Sequence, residues 1–355
     1  MNYNKMRYTF FILLLFPYLL FAQAKKGNYR IMQGPMIGAT SPTSALVWAR
    51  VYSKVSVKIA YRIAGTDSEY TFSQEVIPEK EKKYVIKIRL KDLEASTEYD
   101  YHFLIGNRKD PFQWAFPDFT FKTAPKLGMN QNITVAFGSC ARYQENSRQL
   151  VWNEIRKTNP DFFIWMGDNI YGDALDPDIL AEEYQRQREV LTLRPFLRNV
   201  SQLAIWDDHD YGLNNHDRTH PGKKEAREQF GLYWANPKEA DPTGQGIYFK
   251  QKYANLDFFF LDTRYFRDPN KALDNGKKTM LGKRQLKWLQ SELLKSDTPF
   301  KVLVSGSAWS QAKGMGGDSW ASYQKERNAI FNFIRDNNIE GVVMLSGDTH
   351  VAELN

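Results

Sequence analysis

The sequence predicts two domains of different class, an all-β sandwich over residues 28–125 and a layered α/β domain over residues 132–355. Two patterns indicate this division. The first region consists of short runs of strand-forming residues between turn signals, which is typical of a β-sandwich. In the second region, nearly continuous apolar runs alternate with stretches of helical periodicity, as in a sheet buried by helices. With 355 residues, 42% of them hydrophobic, the chain has enough material for both cores.

Residues 1–24 predict an export signal. Lys5 and Arg7 precede an apolar run, and Ala22-Gln23-Ala24 has the small-residue pattern of a cleavage site. The apolar run is short for a membrane span and is followed by polar residues, so we expect an exported protein with no stable span after cleavage. It would be periplasmic, attached to the cell surface or secreted. An uncleaved N-terminal anchor is the alternative.

Cleavage would remove two positive charges and no negative ones, lowering the formal net charge from +7 to +5. This mild excess suits anionic substrates. The chain has no basic stripe interleaved with stacking aromatic residues, so we expect no nucleic-acid partner.

The first domain is predicted from five runs. They are SALVWARV (44–51), VSVKIAYRI (55–63), YVIKIRL (84–90), TEYDYHFLI (97–105) and FTFKT (119–123). This arrangement resembles a fibronectin type III or immunoglobulin-like module, with Trp48 as an expected core residue. The stretch TAPKLGMNQN (123–132) is the expected linker to the second domain.

The second domain is predicted from six apolar runs and four helical stretches. The runs are ITVAFGSC, DFFIWMGD, LAIWDD, LDFFFLDTR, KVLVSGS and GVVMLSGD. The helical stretches are SRQLVWNEIRK, DILAEEYQRQREVL, KRQLKWLQSELLK and SYQKERNAIFNFIRD. We expect a central sheet with helices on both faces, in which ligands gather beyond the carboxyl ends of the strands.

Metal-ligand residue types stand where four of these runs end. They are Cys140, then Asp168, then Asp207 with Asp208, and finally Asp348 with His350. The segment WDDHDYGLNNHD (206–217) adds to the crowding, with four aspartates, two histidines and two asparagines. Carboxylates at close range raise one another's pKa unless a cation is near. The sequence therefore predicts a metal site at this edge, and a solvated acidic loop is the alternative.

Cys140 is the only cysteine, so the chain can form no intrachain disulfide. A free exposed thiol is a liability in an oxidising compartment. The thiol is therefore either buried as a small inert group or bound to a metal. Its place among the other candidate ligands favours the metal.

Taken in order, the motifs GSC (138–140), GDNIYGD (167–173), WDDHD (206–210) and SGDTH (346–350) resemble the PhoD-like alkaline phosphatases, a branch of the calcineurin-like metallophosphoesterases. The chain is also similar to purple acid phosphatases, which carry a β-sandwich ahead of the catalytic domain. The resemblance covers essentially the whole mature chain and implies a layered metallophosphoesterase-type α/β sandwich. The family's catalytic domain continues beyond the position of Asn355, five residues after His350, so a C-terminal truncation is expected.

The resemblance implies two metal ions and a water nucleophile acting on phosphate monoesters or diesters. The implied ligands are Cys140, Asp168, Tyr171, Asp207, Asp208, Asn215, Asp348 and His350. Asp168 would bridge the ions, Cys140 and Tyr171 would favour Fe(III), and the hard carboxylate of Asp208 would favour Ca²⁺. Zn²⁺ or another divalent ion stays open, as does the division of ligands between the ions.

His209 of WDDHD would face the phosphate and stabilise the transition state or protonate the leaving oxygen. The alternative is a core histidine paired with Asp210. Arg142 and Arg264 are candidates to hold phosphate oxygens through bidentate hydrogen bonds, with surface salt bridges as the alternative.

The segment that follows WDDHD holds further candidates. Either Asn214 or Asn215 would add an oxygen ligand or a phosphate contact, and neither is preferred strongly. His216, Asp217 and His220 are expected to be loop residues.

We therefore expect an exported phosphoric-ester hydrolase whose substrate is a small phosphate ester or an envelope polymer. Two alternatives stay open. One is a phosphodiesterase or phospholipase acting on cell-envelope polymers or lipids, and the other is a non-catalytic surface-binding protein with a degenerate hydrolase domain. Metal analysis separates these classes, because stoichiometric iron and calcium support an enzyme.

Overall fold

The computed structural model describes residues 30–110, 119–311 and 313–351. The predicted export signal, residues 1–24, lies outside the described residues. Within these ranges, no helix has both the length and the apolar character needed to cross a membrane.

The described residues from 31 to 122 form strands and no helix, in two antiparallel sheets. One sheet has the order β1-β2-β5, and the other has β4-β3-β6-β7 with β8 paired to β6. The strands are β1 Ile31–Ser41, β2 Ser44–Val51, β3 Val57–Ile63, β4 Thr71–Phe72, β5 Val85–Leu90, β6 Glu98–Ile105, β7 Arg108–Lys109 and β8 Thr120–Lys122. The two sheets share one apolar core, to which Val47, Ile59 and Phe103 contribute.

The five predicted runs correspond to β2, β3, β5, β6 and β8. The 11-residue β1 was not predicted, because Gly34, Pro35 and Gly38 interrupt its apolar pattern. Three register shifts against β2 accommodate this irregular stretch. The two-residue strands β4 and β7 are too short to leave a sequence pattern.

Trp48 is fully buried but lies outside the core shared by these two sheets. Its Nε1 donates to the carbonyl oxygen of Leu232 at 2.9 Å, and the Arg188 guanidinium lies 4.9 Å from its ring centroid. The sequence placed Trp48 in the sandwich core, whereas the structure places it where the first sheet packs on the second half of the chain. Strand alternation assigns a side chain to a face but not to the neighbour that covers the face.

The second half contains two further sheets instead of the single central sheet that was expected. Parallel strands in the order β11-β10-β9 form the first, and β12-β13-β14-β15 form the second, in which only β12 is antiparallel. The strands are β9 Val135–Gly138, β10 Phe162–Met166, β11 Ser201–Ile205, β12 Phe249–Tyr253, β13 Leu256–Leu261, β14 Phe300–Ser305 and β15 Val342–Ser346. The sheets face each other, with the rings of Phe162 and Phe258 5.1 Å apart.

Helices cover the outer faces of both sheets. The helices are α1 Val151–Lys157, α2 Pro177–Gln187, α3 Leu193–Asn199, α4 Asp208–Tyr211, α5 Lys223–Tyr233, α6 Gly282–Lys295 and α7 Gln324–Asp336. Trp152 of α1 packs on Phe163 of β10, and Leu289 of α6 joins Phe259 of β13 in a separate apolar cluster. The predicted helical stretches match α1, α2, α6 and α7, while α3, α4 and α5 were not predicted. The layers are therefore helix, sheet, sheet and helix.

Candidate metal centre

The predicted ligands follow the carboxyl ends of β9, β10, β11 and β15, and the fold brings them together. Six of them, together with His209 and Asp318, supply donor atoms to three groups, and within each group all atoms lie within 4.8 Å of one another. The groups are Cys140, Asp168 and His350; Asp168, Asp208 and His209; and Asp207, Asp318 and Asp348. Asp168 belongs to two groups, which is the position required of a carboxylate that bridges two cations.

One side of the centre carries sulfur and aromatic donors. Cys140 Sγ lies 3.5 Å from Asp168 Oδ2, and Tyr171 Oη lies 3.5 Å from His350 Nε2. The ring of Tyr171 packs 4.3 Å from that of His209. Tyr171 was predicted only from its spacing to Asp168, and its hydroxyl reaches the same group of donors.

Four carboxylates of the centre each have one buried oxygen with no hydrogen-bond partner among the described residues. The atoms are Asp168 Oδ1, Asp207 Oδ2, Asp208 Oδ1 and Asp348 Oδ2. A buried acceptor without a partner costs about 1–3 kcal/mol, and more when it is charged. Asp208 Oδ1 still has Arg264 Nη2 at 3.3 Å as an ion-pair partner. The other three oxygens, on three neighbouring loops, are placed as a site for cations requires, so the residues present fit metal ions.

The backbone of the centre is strained in a pattern that follows the candidate ligands. Cys140, Asp168, Asn215, Asp348 and His350 have φ angles of 59°, 50°, 61°, 75° and 57°. Such left-handed conformations of residues other than glycine cost about 1–3 kcal/mol each and cluster at functional sites. Cys140, Asp168, Asp348 and His350 lie in the turns that follow strands, and Asn215 lies in the loop after α4.

Gly167 allows the loops after β10 and β11 to approach each other closely. Its φ is 87°, and a Cβ at this position would lie 2.6 Å from Cβ of Asp207. Since neither the φ angle nor the contact admits a side chain, the GD of GDNIYGD sets the distance from Asp168 to Asp207.

Without bound cations, burial and the repulsion between like charges oppose the ionisation of the acidic groups of the centre. Burial raises the pKa of Asp168 well above its ordinary value, and the neighbouring Asp208 and Asp207 raise it further. Burial likewise raises the pKa of Asp207 to about 7, although Arg264 acts against this shift. The pKa values of the Cys140 thiol and the Tyr171 hydroxyl are also raised, chiefly by burial. A bound cation reverses these shifts, because it favours every deprotonated form.

The structure gives Arg264 a different position from the one expected. Its side chain has no exposed surface, so it cannot hold phosphate oxygens in the cleft. It donates through Nε to Asp207 Oδ1, pairs with Asp318, and its Nη2 lies 3.3 Å from Asp208 Oδ1. Arg264 therefore lies beneath the carboxylates as a fixed countercharge. The sequence did not reveal this burial, because Arg264 follows a strand in LDTR just as the candidate ligands follow theirs.

Asp318 and Lys313 were not predicted at all. Asp318 is buried and accepts a hydrogen bond from Arg267 Nη2 at 2.7 Å. Burial raises the pKa of its carboxyl group, but the positive charges of Arg264 and Arg267 outweigh burial and hold that pKa below its ordinary value. Lys313 Nζ donates to Asp348 Oδ1 at 2.5 Å. Both residues lie between β14 and α7 in a glycine-rich loop, where no strand end or helical period marks them.

His209 is paired with Asp173 and not with Asp210. Its Nδ1 lies 2.6 Å from Asp173 Oδ1, and 17% of its side chain is exposed. Burial opposes its positive charge, but the hydrogen bond to Asp173 and the nearby Asp208 outweigh burial and raise the pKa of His209. Asp173, the second aspartate of GDNIYGD, therefore orients the imidazole of His209 in WDDHD.

The remaining candidates lie around the centre. Arg142 lines a cleft together with Cys140 and Tyr171, and its guanidinium lies 4.9 Å from the Tyr171 ring centroid and 2.9 Å from Glu145. Asn215 is exposed, and its backbone N–H donates to Asp208 Oδ2 at 2.7 Å.

The loop that contains Asn215 is held by its own contacts. The rings of His216 and His220 stack with centroids 4.6 Å apart, and the side chain of Asp217 accepts from Thr219. None of these three residues belongs to a donor group within the described chain.

Asp210 connects the two loops that carry most of the carboxylates. It is fully buried and accepts from the backbone N–H groups of Asn169 and Asp207 at 3.1 and 3.2 Å through Oδ2. Its Oδ1 accepts from Tyr184 Oη at 3.0 Å. Because Asn169 follows Asp168 directly, one carboxylate holds both loops at a set distance.

We expect Asp210→Ala to lower metal affinity and kcat by roughly 10–100-fold, the usual effect of losing a group that orients metal ligands. Asp210→Asn keeps an oxygen acceptor for both N–H groups and should recover much of that loss. Tyr184→Phe, which removes only the third donor, is the control. Metal content and kcat of the folded variants give the measurement. Equal values for Asp210→Ala and the wild-type protein would show that the loops hold their spacing unaided.

The two-layered sheet core and the cluster of metal-ligand residues at the strand ends define an α/β metallophosphatase-type protein. A sequence model of the PhoD-like phosphatase family matches residues 135–355. The chain belongs to this family.

Individual relatives agree with this assignment. Alkaline phosphatase D of Bacillus subtilis (strain 168) is 27% identical over 320 residues, which cover 75% of this chain. The chain spans about half of that relative's length, 53%. A solved structure of PhoD is 22% identical, has a TM-score of 0.79, and matches over 91% of this chain and 72% of its own. A purple acid phosphatase from yellow lupin (Lupinus luteus) seeds is 12% identical, with a TM-score of 0.64 over 90% of this chain and 59% of its own. The two structures support the fold alone.

Proposed function

We propose that this protein is an exported, metal-dependent hydrolase of phosphate monoesters or diesters. The observation that carries the proposal is Asp168, whose side chain belongs to two donor groups and has one buried oxygen without a hydrogen-bond partner in the described chain. Membership of the PhoD-like phosphatase family supports the same reaction class. The alternative of a degenerate, non-catalytic domain is disfavoured, because unsatisfied buried carboxylates are costly unless they bind something.

The proposed organisation keeps an export signal at residues 1–24, a fibronectin III-like or immunoglobulin-like sandwich over 28–125 and the catalytic domain over 132–355. Two antiparallel sheets with one shared core support the sandwich. The contact through Trp48 supports a sandwich packed firmly on the catalytic domain.

We assign Cys140, Tyr171 and His350 to a ferric ion, since thiolate, phenolate and imidazole are ligands of a redox metal. Asp207, Asp208, Asn215 and Asp348 are assigned to calcium, which prefers oxygen ligands in flexible number. Asp168, which belongs to two donor groups, would be shared by the two sites. When bound, such ions supply positive charge to phosphoryl oxygens and make water a nucleophile at neutral pH.

The protein's own residues have three tasks in this reaction. Arg142 binds the non-bridging phosphate oxygens at the cleft. His209, held through Nδ1 by Asp173, has Nε2 left to donate a proton to the leaving oxygen. Burial opposes the charged forms of Asp207 and Asp208, and Arg264, which pairs with both carboxyl groups, acts against the effect of burial on their pKa and thereby favours the charged forms.

A hydrolysis assay with matched monoester and diester substrates tests the function. Chelation should suppress turnover of the full-length protein, and iron with calcium should restore it. A ferric ion held by thiolate and phenolate should also absorb visible light, and Cys140→Ser and Tyr171→Phe should each shift or bleach that band while the fold is kept. Elemental analysis and the spectrum are read before any activity is measured.

Two outcomes would change the proposal in different ways. A colourless, active protein that contains zinc would retain the function and remove the iron assignment. A protein that folds, binds no metal and hydrolyses neither substrate would favour the surface-binding alternative. Preference for diesters in a polymer or lipid would select the phosphodiesterase or phospholipase alternative.

A further inference from the structure

A second cleft, which the proposed chemistry does not use, carries an excess of positive charge. Five cationic side chains line it, and Asp268 is the one acidic residue among the described residues in its wall. The cations are Arg218, Lys223, Lys277, Lys278 and Lys283. We call it the basic groove.

Most of this charge is not paired with a carboxylate in the part of the chain that the structure describes. Arg218 pairs with Asp268 at 2.7 Å, but the four lysines form no ion pair with any carboxylate in the described ranges. Lys277 and Lys283 are exposed, so their ammonium groups are free to meet a ligand.

Lys223 and Lys278 are held in the groove by neutral groups. Lys223 Nζ donates to the carbonyl oxygen of Arg218 at 3.1 Å and lies 4.6 Å from the Tyr265 ring centroid. Lys278 Nζ donates to the carbonyl oxygen of Asn270 at 2.6 Å. Burial lowers the pKa of both lysines, because a buried ammonium group loses hydration. A bound anion would offset this loss by stabilising the charged form.

The basic groove shares two chain segments with the metal centre. Asn215, which donates to Asp208, stands three residues before Arg218 of the groove, a separation of at most about 11 Å along the chain. Arg264, which donates to Asp207, is followed directly by Tyr265 in the groove wall. Hydrogen bonds also connect the two sites: Asn270, whose carbonyl oxygen accepts from Lys278, donates through Nδ2 to Asp318 Oδ1 at 2.7 Å, and Asp318 belongs to a donor group of the centre. The groove and the centre are therefore neighbours in space.

We propose that the basic groove binds a second phosphate group of the same substrate, whose first phosphate reacts at the metal centre. Unpaired ammonium groups select an anion, and the rings of Tyr265 and Phe266 offer an apolar wall for the organic part between the two phosphates. The inference rests on the proposed function. The groove extends the proposed function to substrates with more than one phosphate. A polyphosphorylated small molecule and a phosphodiester polymer both have a second phosphate joined to the first by an organic part.

The test uses the metal-loaded, full-length protein and two phosphonates that cannot be hydrolysed, one with a single phosphonate and one with two joined by a flexible linker. Calorimetry measures both affinities. For the double variant Lys277→Glu/Lys283→Glu, we expect the bisphosphonate to bind on the order of tenfold more weakly, because two attractive contacts become repulsive. Binding of the monophosphonate should change less than about twofold.

Lys54→Glu/Lys91→Glu is the matched control, since it makes the same charge change at two exposed lysines of the first domain. The groove variant could weaken both phosphonates equally, or the groove and control variants could have equal effects. Either outcome would indicate a non-specific effect of net charge on anion binding and would overturn the proposal. No weakening at all would overturn it as well. Because binding is measured without turnover, an inactive wild-type protein would count against the hydrolase and not against the groove.

The source of the second phosphate is distinguished by substrate assays. A groove variant with a raised KM for short bisphosphate esters identifies a site for small molecules. A variant in which only longer phosphodiester chains are affected identifies a polymer site. In both cases kcat should remain within about twofold of wild type, because the groove does not touch the reacting phosphate.

Discussion

Asp168→Asn is expected to abolish activity, with kcat/KM falling by roughly 10⁴-fold or more, because the residue acts as one unit with both sets of ligands. Asp168 is the side chain that two donor groups share, so its loss removes the bridge and weakens both cation sites at once. An amide of the same size preserves the packing. The metal content of the purified variant should fall together with its activity.

The fold should survive this change. The pKa of the buried Asp168 carboxyl is raised, chiefly by burial, which means that its negative charge destabilises the metal-free protein. Neutral asparagine removes that cost, so thermal unfolding without metal should occur at the same temperature or higher.

The matched control is Asp257→Asn. Asp257 is another fully buried carboxylate, but it lies at the start of β13 and binds Lys250 at 3.0 Å and Ser296 at 2.6 Å. Its substitution should lower stability and leave the metal content unchanged. An Asp168→Asn variant with two bound ions and a wild-type rate would remove Asp168 as the bridge.

His209→Ala is expected to lower kcat by roughly 10²-fold or more while the metal content stays near that of the wild type. The imidazole is held by Asp173 at 2.6 Å, and loss of a proton donor affects the transition state more than substrate binding. Asp173→Asn should have a smaller effect of the same kind, about tenfold, because the imidazole remains but is less well oriented.

His102→Ala serves as the control, since His102 is a partly buried histidine of β6 that packs on Tyr70 in the first domain. It should leave kcat unchanged. The donor group of Asp168, Asp208 and His209 offers a competing role for His209 as a ligand. Loss of a metal ion from His209→Ala would establish that role and contradict proton transfer, and an unchanged rate would exclude both.

Most of the candidate ligands could be read from the sequence because they stand just after a strand, although Tyr171 and Asn215 do not. Strand periodicity is local, and the carboxyl ends of parallel strands in one sheet meet at one edge, so Cys140, Asp168 and Asp207 could be placed together without knowledge of the packing. Asp348 follows β15 of the other sheet, so it joins them only because the two sheets pack together. Apart from the two-residue β4 and β7, the same local logic identified all the described strands of both regions except β1 and β12. Those two strands were missed because glycine, proline and lysine residues break their apolar pattern.

Which partner each side chain meets was decided by the tertiary structure. Arg264 follows a strand as the ligands do, yet it is buried against Asp318, 54 residues away in the chain. Trp48 has the pattern of a sandwich core residue but packs on the second half of the chain. Periodicity specifies the direction of a side chain within its own element, whereas Coulomb and hydrogen-bond energies depend on distances through space. Those distances were set only when the two sheets packed face to face.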